Sequence, residues 1–106
     1  MQYIGRLSDA GYKIEEIVRP KIERIPDVEL TNLRPRVTSD SRGRDIILFE
    51  CDIRWYSRAY SKAKGSAKAK MEYDLREHIL DLIVAAADSF DHPLFYADLE
   101  LCINNY

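Results

Sequence analysis

The chain holds two histidines, His78 and His92, and two cysteines, Cys51 and Cys102, and these bound the chemistry it could do. Asp74 precedes His78 by four residues and Asp88 precedes His92 by four. On a helix each pair would share a face and could offer two metal ligands. Short carboxylate–histidine pairs also arise by composition alone. The plainer reading makes His78 a half-buried residue on or beside an apolar helix stripe, and His92 part of the helix stop before Pro93. No cysteine or serine stands in a nucleophile context. The KGSAK stretch around Gly65 lacks the length and the strand–loop–helix glycine pattern of a phosphate loop. Catalytic residues, metal ligands and cofactors are therefore not expected, and the chain reads as non-enzymatic.

Charge is distributed far less evenly than the net value of −2 suggests. Arg54, Arg58, Lys62, Lys64, Lys68 and Lys70 follow one another with no acid between them. From residue 72 onward the chain has eight acids and one cation, Arg76. Copies meeting head to tail would bring opposite signs together, a route to a ring or filament. Tyr56 and Tyr60 interleave with the cations, a pattern that also suits a nucleic-acid backbone. The candidate contact residues for a partner, another copy or DNA are therefore Arg54, Arg58, Tyr60, Lys62, Lys64, Lys68 and Lys70. A solvated loop is the plain alternative. A second basic group (Arg34, Arg36, Arg42, Arg44) surrounds a turn at the other end of a strand about 40 Å long at ~3.3 Å per residue, so the two groups should not form one footprint.

The elements that must carry these residues follow from periodicity. Tyr3, Leu7, Ala10, Ile14 and Ile17, widened by Val18, Ile22 and Ile25, trace a helix that Pro20 should kink or end near Val18. Residues 28–38 read as a weak strand, with Pro35 marking an edge or bulge. Residues 39–44 form a polar turn with Gly43 in the left-handed position. Residues 45–56 are the clearest strand, with Ile47, Phe49, Cys51, Ile53 and Trp55 on one face. A loop is expected over 57–65, then Ser66 as N-cap of a helix with Met71, Leu75, His78/Ile79, Leu82, Ala86 and Phe90 on its stripe. Residues 94–104 alternate as a last strand, with Phe95, Ala97, Leu99, Leu101 and Ile103 on one face. The implied architecture is a single α+β domain, 1–106, in the order α-β-β-α-β. It has a small, mainly antiparallel sheet with both helices packed on one face and the other face wet.

At 106 residues there is material for one core. Cys51 falls on the apolar parity of its strand and Cys102 on the polar parity of another. The two thiols should leave opposite faces of the sheet unbridged, which fits a reducing compartment. No run approaches the ~20 apolar residues of a membrane span, and the first residues lack a signal-peptide core. A soluble protein with no membrane contact is expected. The chain has 7 tyrosines, and Tyr56, Tyr60, Tyr73, Tyr96 and Tyr106 fall on polar parities, in loops or at the terminus, where tyrosine favours interfaces.

As a pattern over nearly its whole length, the chain resembles the tail-terminator (tail-completion) proteins of tailed bacteriophages. The resemblance is carried by an opening helix ending near IERIPDVEL, strands around RDIILFECDIRWY, the loop SRAYSKAKGSAK, the helix MEYDLREHILDLIVAAADSF and the closing strand FYADLELCINNY. It implies a structural virion-assembly protein that forms a hexameric ring between the tail tube and the head connector. Tube and connector proteins would be its partners, the basic loop would be a candidate for contact with the tube, a neighbouring copy or the DNA-conducting lumen, and its place would be the host cytoplasm during assembly and then the tail or neck of the virion. The alternative is a small nucleic-acid-binding module using residues 54–70.

Overall fold

A computed structural model gives the structure of residues 7–89 and 96–104. The first element, α1 (Leu7–Glu23), buries Ala10, Ile14, Val18 and Ile22 completely, one residue per four along a single row. Pro20 lies inside this helix, which does not end near Val18. A proline there removes one backbone bond to the preceding turn. Ile22, beyond it, is nevertheless fully enclosed, so core packing carries the last turn past the proline. Pro26 and Asp27, the latter at a left-handed φ of 64°, then turn the chain into the sheet.

Strand β1 (Val28–Ser39) pairs antiparallel with β2 (Asp45–Trp55). Asp40 organises the connection. Its Oδ1 accepts from the backbone N–H groups of Arg42 and Arg44, each at 2.9 Å, while Oδ2 meets Arg44 Nε at 2.7 Å. The backbone bond from Arg44 leads in holding this carboxyl below its usual range. Gly43 takes the left-handed position expected of it, with φ 77°. The irregularity in β1 lies between Leu30 and Asn32, upstream of Pro35.

The last strand, β3 (Tyr96–Ile103), lies on the other side of β2 and runs parallel to it, so the sheet is mixed and β2 is central. A parallel neighbour needs a crossover, and two helices supply it. One was not foreseen: the loop expected over 57–65 contains the short helix α2 (Arg58–Lys62). Ser57 caps it by accepting from the Tyr60 N–H at 3.2 Å. The long helix α3 (Gly65–Ala87) follows with Lys64, not Ser66, at its N-cap position and no side-chain cap bond. It buries Leu75, Ile79, Ile83 and Ala86. His78 is exposed rather than half-buried, because it sits about 100° around the helix from Ile79.

The order α-β-β-α-β holds, with α2 added, and both long helices pack on one face of the sheet. That face supplies Leu33, Ile47, Phe49, Cys51, Ile53 and Leu99 to the core. Cys51 is buried and Cys102 exposed, both as free thiols. Tyr3, Phe90, His92, Pro93, Phe95 and Tyr106 lie outside the described residues.

Helix and sheet come close together at Gly11. A Cβ there would lie 2.7 Å from Cβ of Pro35. Gly11→Ala should therefore destabilise the fold by about 1–3 kcal/mol through overpacking, although at an open helical site it would stabilise by about 0.5–1 kcal/mol. The sign of the change in urea midpoint decides between these.

Candidate interaction site at the carboxyl end of the sheet

Where β2 ends, the chain builds a cleft of about 430 Å³ lined by Arg54, Trp55, Tyr56, Tyr60, Lys68 and Asn104, among others. Trp55 ends β2, and α2 brings Tyr60 back over it. The two rings stack with centroids 4.5 Å apart at 27°. Lys68, one turn into α3, places its ammonium 5.3 Å from the Tyr60 centroid. The Tyr60 hydroxyl donates to Glu72 Oε2 at 2.6 Å. Burial first, and then this bond, push the phenol up to about 12.

The structure sorts the seven basic-segment residues. Arg54, Tyr60 and Lys68 come together at the cleft. Arg54 also faces Glu29 across the strands at 3.6 Å. Arg58, Lys62 and Lys64 are exposed on α2 and at the start of α3. Lys70 stands apart, paired with Asp74 on its own helix at 3.1 Å. Tyr60 departs from expectation most: it is only 3% exposed and belongs to the packing of the cleft wall. Tyr56, 55% exposed, is the aromatic that remains open there. Trp55, Ser57, Glu72 and Asn104 complete the arrangement. The sequence signal for Ser57 was local: a serine three residues before a tyrosine is the spacing of a side-chain cap.

Of the second basic group, Arg42 and Arg44 lie in the turn at the opposite end of β2, where Arg44 lies 4.5 Å over the Tyr96 ring, while Arg34 and Arg36 are spread along β1 opposite Glu50 and Leu48. Cys51 is a poor nucleophile, since burial pushes its thiol up to about 12. Among the described residues no three His, Cys, Asp or Glu side chains gather where they could hold a metal ion, and no helix is long and apolar enough to cross a membrane.

Both sheet edges carry an arginine cap. On β1, Arg19 of α1 donates to the Leu33 carbonyl at 3.3 Å. On β3, Arg76 of α3 donates to the Leu99 carbonyl at 3.0 Å and pairs with Asp98 at 3.1 Å, while the Leu99 N–H donates to Asp98 Oδ1 at 2.8 Å. Strand alternation gives Pro35 the same edge-facing backbone direction as Leu33, so its missing N–H removes no ladder bond.

No family model, curated protein or solved structure matches the chain.

The Tyr60 phenol gives a pH test. Its folded value of about 12 lies above the ordinary 10. Its contribution to stability is therefore complete below pH 10 and is lost as pH rises toward 12. Tyr60→Phe should flatten this part of the urea-midpoint profile, leaving the alkaline loss due to Cys51, and ultraviolet titration should lose one tyrosine ionising at about 12.

Proposed function

We propose that the chain is a structural assembly protein without catalytic activity, of the tail-terminator kind, forming a ring that joins a phage tail tube to a head connector. One observation carries this reading, the separation of charge along the molecule. Arg58, Lys62, Lys64 and Lys68 are exposed around α2 and the first turn of α3. Further along α3 the exposed Asp74, Asp81 and Asp88 share one outward stripe with the half-buried Glu77. From Lys64 to Asp88 the helix rises about 36 Å, so the two poles are well separated. A repeated head-to-tail contact sets the positive pole of one copy on the negative stripe of the next, and such a contact closes into a ring when its rotation allows. Assembly takes place in the host cytoplasm, and the product belongs to the tail or neck of the virion.

A second reading, a nucleic-acid-binding module along residues 54–70, is favoured by the cleft itself, which combines Arg54, Lys68 and the open Tyr56 with no acid in its lining. The buried Tyr60 counts against base stacking there, because stacking needs an open ring face.

Absolute mass by light scattering, at low and moderate salt, with negative-stain images of the main peak, separates the readings. A ring-sized species that weakens with salt is expected, and Lys62→Glu with Lys64→Glu should dissociate it. A monomer or dimer at every salt concentration sinks the ring. Tight, salt-dependent binding to single-stranded DNA or RNA, reduced by Lys68→Ala, would put the nucleic-acid reading in its place.

A further inference from the structure

The two edges of the sheet are guarded unequally. On β1, besides the Arg19 cap and Pro35, the register shifts between Leu30 and Asn32, and Glu29, Arg34 and Arg36 add charge. These are the features that keep an edge strand from pairing with another chain. On β3 the guard covers one residue. Leu99 spends its N–H on Asp98 and its carbonyl on Arg76. Asn104 turns its N–H inward to the Ile53 carbonyl at 2.8 Å. Backbone direction alternates along a strand, so with residue 99 facing outward and residue 104 inward, Leu101 and Ile103 present their N–H and C=O groups to the free edge. Beside them runs a groove of about 240 Å³ between β3 and α3, lined by Glu72, Tyr73, Arg76, Leu101 and Ile103. Tyr73 is 60% exposed on its rim.

We propose that this edge pairs with the same edge of a second copy, antiparallel and centred on Cys102. In that register Leu101 exchanges both backbone bonds with Ile103 of the second copy, and Ile103 with its Leu101. The Leu99 clamp stays closed, since residue 99 lies outside the exchange. Side chains agree with the register. Leu101 and Ile103 of one copy lie beside Ile103 and Leu101 of the other on the helix side, where the groove and Tyr73 receive them. On the open side Glu100 meets Asn104 and Cys102 meets Cys102, so no acid opposes an acid. A second copy fits this edge because the sequence of β3 is complementary to itself about residue 102, the requirement of a two-fold contact. The contact does not depend on the head-to-tail ring, because it uses a different surface.

Cys102 supplies the readout. The two copies of the residue would face each other at a non-hydrogen-bonded position, with Cα atoms about 4.5 Å apart, inside the ~4.4–6.8 Å range of a disulfide. Diamide would convert the two thiols to one disulfide, taking up the two protons and two electrons released. At salt concentrations that dissolve the head-to-tail ring, reduced protein should sediment as a dimer, and diamide should trap it through Cys102 while Cys51 stays unmodified. Leu101→Pro removes an N–H that the fold itself does not use and should weaken the dimer at least ~10-fold. Should that variant misfold by circular dichroism, Cys102→Lys serves in its place. It is an exposed site where two ammonium groups would oppose each other, and a similar loss, about 10-fold, is expected.

A chain that stays monomeric up to about 0.5 mM, a concentration that would populate even a weak dimer, overturns the proposal. So does a dimer untouched by both variants, or trapping no faster than in Leu101→Pro. A salt-sensitive ring indifferent to both variants overturns it and leaves the ring standing. A dimer that never grows larger does the reverse.

Discussion

The structure depends on the burial of one strand. Among the described residues β2 alone is paired on both sides, and Ile47, Phe49, Cys51 and Ile53 are all fully enclosed along its inner face. With a side-chain period of two, a slip of one residue in either neighbour would turn that neighbour's inner face outward. The four-residue row of α1 fixes one side of the enclosure, and Gly11 lets this helix approach Pro35 and Ile47. The buried row of α3 closes the other side. Because β3 runs parallel to β2, the chain has to cross the sheet between them, and that crossing builds α2 and the cleft. The candidate site is thus a consequence of strand direction.

Within the cleft, aromatic packing and charge are coupled. Ser57 sets the start of α2, α2 sets Tyr60 on Trp55, and Tyr60 holds Glu72 and Lys68 in place through its hydroxyl and its ring. Lys68 is therefore positioned by buried structure. Arg58, Lys62 and Lys64 are exposed on the outside of the cleft.

Much of this was legible in the residues. The row of α1, the alternation of β2 and β3, and the turn with Gly43 all follow from local spacing, and the hairpin follows from the turn. Pro20 misled because its penalty is local while the enclosure of Ile22 is tertiary. The direction of β3 left no trace in its own sequence, since alternation fixes which face is inward and says nothing of the neighbour's sense. α2 spans less than two turns, too few for a periodic pattern, so Tyr60 read as a loop residue although it is packed in the cleft wall. The arginine caps were equally hidden, because each joins residues distant in sequence: Arg19 to Leu33 and Arg76 to Leu99.

The unequal edges have a meaning in the terms of polymer chemistry. A unit with two reactive ends grows by addition until material runs out, which for sheet proteins means fibres. A unit with one reactive end couples once and becomes inert. Pro35, the offset beside Asn32 and the Arg19 cap make β1 the unreactive end, while the uncapped Leu101 and Ile103 of β3 form a short reactive one. By closing one edge more completely than the other, the fold limits how far its sheet can propagate and leaves any larger architecture to surfaces outside the sheet.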